Sequence, residues 1–196
     1  QAYHAITLGF YESELLRRVD QKHRSLGRFF HEEIATPLGL DFYIGLPEGI
    51  PNSRLATTHM AMPTGAAAFK APPALVLDFG NPRSRIRRAL WGDLPEDKER
   101  VYPRNVEVPS GGGIGTARAI AKAYGVFATG GKELGLREEA LKQLMAPAVP
   151  PTLGFWDEVM KMDGMQLSLG FMKPSPKAPF AHPGAFGMPG FGGCIG

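Results

Sequence analysis

Apolar residues recur at spacings of three and four near the start of the chain. Leu8, Tyr11, Leu15 and Val19 mark one face of a helix running from about Ala5 to Val19. Glu14 and Arg18 stand four apart on its polar side, an arrangement that favours an ion pair. Ser25 precedes a second periodic stretch, and its short polar side chain suits an N-cap. The predicted buried face of that helix is Leu26, Phe29, Phe30 and Ile34, and Pro37 is expected to end it because proline lacks the N–H the ladder needs. Leu40 to Ile44 then reads as a short strand.

The pattern is lost between Pro47 and Pro109, where Pro51, Pro63, Pro72, Pro73, Pro82, Pro95 and Pro103 interrupt it. This predicts a long surface excursion bordering a cleft. Within it, Ala74 to Phe79 fits a strand or a helical turn, and periodicity does not decide between them. Order returns at Thr116 to Thr129, the best-defined helix. Thr116 caps it, Ala117, Ile120, Ala121, Tyr124 and Phe127 form its stripe, and Gly130-Gly131 stops it. A shorter helix is expected from Arg137 to Met145, ahead of Pro147. Asp163-Gly164, between Met162 and Met165, suits the positive φ angles of a type I′ hairpin turn. Beyond it Met165, Leu167, Leu169 and Phe171 alternate with Gln166, Ser168 and Gly170 as in a half-buried strand. Lys173 to Gly196 is a Pro- and Gly-rich tail, and no internal repeat is visible.

Composition narrows the function classes. A chain of 196 residues, 43% hydrophobic and 21% charged, has the make-up of one soluble globular domain, and its 25 Gly and 18 Pro predict many turns. A net charge of +3 is small and dispersed, which argues against a nucleic-acid partner. No apolar run approaches the ~18 residues of a membrane span. Cys194 stands alone, so no internal disulfide forms, which inclines the reading weakly towards a reducing, cytoplasmic compartment. His31-Glu32-Glu33 has Ala35 where a zinc motif needs its second histidine, and no metal or other cofactor is expected. Gly111 to Gly115 precedes a helix in the manner of a phosphate loop, but Arg118 occupies the third glycine position and no Gly-Lys-Ser/Thr follows. Arg83, Arg85, Arg87 and Arg88 read as a solvated, salt-bridged surface, with anion binding as the alternative.

Longer stretches carry more. Gln1-Ala2-Tyr3-His4-Ala5 leads to Arg17-Arg18-Val19-Asp20, to Ser25-Leu26-Gly27-Arg28-Phe29-Phe30, and to Glu32-Glu33-Ile34-Ala35-Thr36-Pro37-Leu38-Gly39-Leu40-Asp41. This succession, continued through Pro109 to Arg118 and on to the last residue, resembles the serine β-lactamase-related family. These are the penicillin-binding-protein-like hydrolases that include class C β-lactamases and esterases. The resemblance implies an α/β (α+β) fold of the β-lactamase/transpeptidase type, an antiparallel sheet flanked by helices. It also implies acyl transfer through a serine in Ser-x-x-Lys, a tyrosine in a second motif, and a Lys-Thr-Gly or His-x-Gly third motif on an edge strand.

On that resemblance Tyr3 is the second-motif tyrosine, shuttling the serine proton and protonating the leaving group. Ala5 stands where β-lactamases carry Asn, which points away from β-lactams and towards an esterase-like site. Ala185 to Gly193 resembles the third motif, with Met188 at the Lys or His position, Pro189 and Gly190 beside it, and the Phe191 backbone N–H as oxyanion donor. A second register uses His182-Pro183-Gly184 with the Ala185 N–H. No Ser-x-x-Lys occurs: Ser25 and Ser84 are followed three residues on by Arg28 and Arg87, and arginine stays protonated. The expectation is therefore one partial domain over residues 1–196, from the second-motif tyrosine through the third-motif strand, without the nucleophile segment and final strands. Such a segment is expected to fold poorly unless the rest of the chain, a second copy in a homo-oligomer or a larger assembly covers it. Two functions stand side by side: a serine hydrolase of a small-molecule ester or amide, and an inactive scaffold kept for interaction.

Overall fold

A computed structural model describes residues 1–4, 6–56, 73–90 and 106–190. It mixes helices with short antiparallel sheets and divides into two compact units. One comprises Ala5–Thr58 and Pro95–Leu141, the other Gln1–His4, His59–Leu94 and Lys142–Ile195.

The first unit opens with α1 (Thr7–Val19). Its predicted core face is turned to solvent: Leu8, Tyr11, Leu15 and Val19 are 43, 68, 64 and 78% exposed. The helix approaches its neighbours through small residues instead. Gly9 is buried, and a Cβ there would lie 2.5 Å from Ser110 N, while Ser13 Oγ accepts from Leu26 N at 3.2 Å. Periodicity identifies a face, but close backbone approach selected a different one.

Ser25 caps α2 (Leu26–Phe30), its Oγ accepting from Arg28 N at 3.3 Å. Pro37 does not end the helix. A π-turn (His31–Ala35), closed by Thr36 N–H donating to His31 O, leads into α3 (Thr36–Leu38). The wider turn re-spaces the ladder just where proline's ring would clash and its N–H is missing. Gly39, at φ 59°, makes the stop.

β1 (Phe42–Ile44) pairs antiparallel with β2 (Gly113–Gly115), Tyr43 opposite Ile114. The second half of the 111–115 glycine run, weighed as a phosphate loop, is thus a strand, and Gly111 lies in the turn before it. Its glycines seat the Phe42 ring, since a Cβ at Gly113 would stand 2.6 Å from Phe42 Cζ. Thr116 caps α6 (Ala117–Ala128) by accepting from Ala119 N at 3.2 Å, and Gly130 and Gly131 end it at φ 95° and 72°.

The core joins Ala35, Leu38, Leu40, Ala119 and Val126, with Phe30, Ile34, Phe42, Ala123 and Leu134 packed around them. The inward stripe of α6 is Ala119, Ala123 and Val126. Ala117 and Ala121 are exposed, contrary to the expected stripe. This helix is apolar on most sides, so its alanine face, which permits the closest approach, was not distinguished.

In the second unit the ambiguous 74–79 stretch is helical, within α4 (Pro73–Gly80). Leu75 packs with Ile86 of α5 (Arg85–Leu90) and with Val159. Ser84 caps α5, donating to Asp78 O at 2.6 Å and accepting from Arg87 N at 3.2 Å. α7 (Glu138–Met145), whose residues from Lys142 onward belong to this unit, matches the predicted short helix. The hairpin turn is displaced. Leu169 and Gly170, at φ 51° and 81°, join β3 (Leu167–Ser168) to β4 (Phe171–Met172), so the expected 165–171 strand folds back on itself. Asp163-Gly164 instead follows Met162, which bridges to Asp157. Two adjacent left-handed residues satisfy a type I′ turn even with leucine first. Of the prolines in the predicted excursion, Pro63, Pro72, Pro95 and Pro103 lie outside the described residues. Among the described residues, no helix is long and apolar enough to cross a membrane.

Candidate active site

Tyr3 lies two residues after Gln1, which is held by bonds from its backbone and its side chain. The Gln1 backbone N donates to Trp156 O at 3.2 Å, and Gln1 O accepts from Glu158 N at 3.0 Å. Gln1 Nε2 also donates to Met165 O at 2.6 Å and to Phe155 O at 3.4 Å. Gln1 is therefore bonded to both neighbours of Asp157, and Tyr3 follows two positions later, half-buried. Burial pushes its phenol pKa up, and the Asp157 charge pushes the same way. His4 is exposed, and Ala5 lies outside the described residues.

The third-motif stretch runs beside β4. Met172 N donates to Gly187 O at 2.7 Å and Gly187 N returns the bond to Met172 O at 3.2 Å, which leaves Met188 half-buried at the end of a strand-like pairing. Phe171 packs on Phe186 with ring centroids 4.9 Å apart. Pro189 and Gly190 are exposed, and Phe191 with the following glycines and Cys194 lies outside the described residues. His182 is exposed and engaged with its own turn: its Nδ1 accepts from Gly184 N at 3.0 Å and its carbonyl from Ala185 N at 3.0 Å. Tyr3, His182 and Met188 belong to the same compact unit.

Two buried charges in this unit escaped the sequence reading. Asp157 is fully buried, and its Oδ1 accepts from Val159 N at 2.9 Å and Met160 N at 2.8 Å. Such a turn is local, and an Asp followed by a short irregular stretch was its available signal. Lys173 is also buried, its Nζ donating to Leu144 O and lying 5.0 Å from the Phe186 ring centroid. Burial lowers its pKa. Lys173 shares strand parity with Phe171, so its inward direction was legible, although its partners were not.

Arg85 lies 3.6 Å from Glu158 rather than presenting an open anion site. A concavity of about 350 Å³ in the first unit is lined by Leu16, Val19, Asp20, Lys22, Arg24 and Phe29. The Arg24 guanidinium there is already met by Asp20 at 2.8 Å, Glu33 at 2.6 Å and Glu32 at 2.9 Å. No group of three potential metal ligands occurs among the described residues.

The family model described as Beta-lactamase matches residues 1–196. Among curated proteins, the esterase/beta-lactamase LipL of Mycobacterium tuberculosis is 32% identical over 139 residues, covering 69% of this chain and 32% of LipL. Among solved structures, a penicillin-binding protein homolog from Caulobacter crescentus matches with a TM-score of 0.67 and 31% identity, over 96% of this chain and 46% of that one. EstA from Arthrobacter nitroguajacolicus matches with a TM-score of 0.57 and 26% identity, over 95% of this chain and 47% of its own. The chain thus spans about a third of LipL and just under half of each solved structure.

Proposed function

The chain belongs to the β-lactamase family, and from that premise we propose that it carries the tyrosine and edge-strand parts of a serine hydrolase acting on a small-molecule ester or amide through an acyl-enzyme. The observation that carries this reading is the half-buried Tyr3 at the head of a segment pinned by four hydrogen bonds. A serine hydroxyl is a poor nucleophile until a neighbouring group takes its proton, and the acylated intermediate then needs a donor for the leaving group. Tyr3 would move that proton. The Phe191 backbone N–H would supply the oxyanion contact, with Met188, Pro189 and Gly190 lining the substrate side. The 196 residues contain no Ser-x-x-Lys, so the nucleophile of such a reaction comes from outside them. LipL, a relative described as an esterase as well as a β-lactamase, supports the ester class, as does Ala5 at the position where β-lactamases carry Asn.

A second reading, an inactive scaffold kept as an interaction module, is favoured by Met188, which supplies neither charge nor proton where Lys or His is expected. One experiment separates them. The full-length protein is treated with a fluorophosphonate probe and analysed by intact mass. A serine adduct, and its loss or at least tenfold slowing in Tyr3→Phe, is the expected result. A folded full-length protein that takes up no probe overturns the hydrolase.

A further inference from the structure

Asp157 occupies an unusual position for a carboxylate. It is fully buried, its Oδ1 is used by the two turn amides, and among the described residues its Oδ2 has no hydrogen-bond partner. Burying a carboxylate oxygen without a partner is costly, so its retention calls for a role beyond closing a turn. Its backbone N also donates to Met162 O at 2.8 Å, which makes this residue the fixed point of the 155–162 stretch.

The motif tyrosine is attached to that fixed point. Gln1 bonds to the residues on either side of Asp157, its backbone N donating to Trp156 O and its O accepting from Glu158 N, and Tyr3 follows two positions later, half-buried. Other charges of the stretch are engaged elsewhere. Glu158 lies 3.6 Å from both Arg85 and Lys161, Lys161 is 3.9 Å from Asp78, and Lys173 donates to Leu144 O. His4 and Asp163 are exposed. Asp157 is left as the buried charge whose field reaches the phenol.

We propose that Asp157 is a positioning residue for Tyr3: its turn holds the segment that carries the tyrosine, and its negative charge disfavours the phenolate, so that the phenol rests as a neutral hydrogen-bond donor. This rests on Tyr3 being the proton-shuttling residue. Both halves of a proton shuttle pass through the phenolate, so in this environment taking the serine proton and giving one to the leaving group alike call for a compensating cation at the site. The upward direction of the Tyr3 pKa, set by burial first and the Asp157 charge second, agrees with a neutral resting phenol.

The test follows the Tyr3 ring directly. The full-length protein is labelled with ¹³C at tyrosine Cζ, the Tyr3 resonance is identified by its loss in Tyr3→Phe, and its shift is recorded against pH. The wild-type midpoint is expected above the ~10 of an unperturbed tyrosine. Asp157→Asn keeps an oxygen for the turn and removes the charge. It is expected to lower the midpoint while amide exchange at Glu158 stays protected. Asp157→Glu keeps the charge but displaces the cap, and is expected to speed that exchange at least tenfold. A wild-type midpoint at or below about 10, or an unmoved midpoint in folded Asp157→Asn, overturns the proposal. Should Asp157→Asn fail to fold, the wild-type midpoint and Asp157→Ser, which also offers an oxygen at short reach, decide it. None of these readouts needs turnover, so they stand or fall separately from the probe adduct.

Discussion

Replacing Glu107 should show how much one carboxylate contributes by joining distant parts of the chain. Its Oε1 accepts from Ser25 Oγ at 2.8 Å and its Oε2 from Gly27 N at 3.0 Å, so it closes the first turn of α2 from 80 residues away. The glycines beside it leave the carboxylate room. A Cβ at Gly27 would lie 2.6 Å from Glu107 Cδ, and one at Gly45 3.2 Å from its Cγ. In Glu107→Ala the two partners fare differently: Ser25 is half-buried and regains water, whereas Gly27 is buried and its N–H does not. Loss of hydrogen bonds to a charged acceptor, with one donor stranded, costs about 2–3 kcal/mol. In a domain of 150–250 residues that lowers Tm by about 5–10 °C, and in a longer protein by less. Glu107→Gln keeps an acceptor for Gly27 and should cost about 1 kcal/mol, or some 2–4 °C. Calorimetry of the full-length protein, with amide exchange read at Gly27, checks both. The alanine variant should exchange there roughly 30- to 100-fold faster at a factor of ten per ~1.4 kcal/mol. A glutamine variant as damaged as the alanine one, or an alanine variant within about 1 °C of wild type, would refute the reasoning.

Two further outcomes follow from local chemistry. Hydrogen bonds from Arg24 hold the Asp20 carboxyl well below the usual carboxylate range, so their stabilisation is present above the unfolded pKa of ~4 and drains away as pH falls towards the folded value. Urea midpoints taken downward from about pH 5 should fall more steeply in wild type than in Asp20→Asn, with the variant weaker at neutrality, and parallel curves would contradict this. Leu169 sits in the left-handed region at φ 51° and is exposed, so Leu169→Asn should stabilise by about 1 kcal/mol, and a loss of stability on chemical denaturation would show the side chain to be wanted there.

What was legible in the sequence was what local rules decide. Ser25 and Thr116 cap helices as their side chains predict, and Gly130-Gly131 ends one because both residues adopt positive φ. The family resemblance rested on long motifs and is matched over residues 1–196. What was not legible depended on distant partners. The stripe of α1 was identified correctly as apolar but faces solvent, because the close approach of Gly9 to Ser110 was invisible from spacing alone. The Asp163-Gly164 pair carried the better turn signature, yet the strands meet across Leu169-Gly170, since pairing partners rather than propensity select where a hairpin turns. At the candidate site Tyr3 was found by resemblance, whereas Asp157, 154 positions away, gave only the faint mark of a turn-forming residue.

The five-residue π-turn preceding Pro37 sets the azimuth of everything after it. An insertion of one residue advances a helix by about 100°, and here that phase carries Leu38 and the adjoining Leu40 round to join Ala35. Shortening the turn by one would tidy its ladder and at the same time swing Leu38 outward. Losing a residue from His31–Ala35 would therefore disturb Leu38 and Leu40 as well, whereas exchanging the exposed His31 side chain would leave that phase intact.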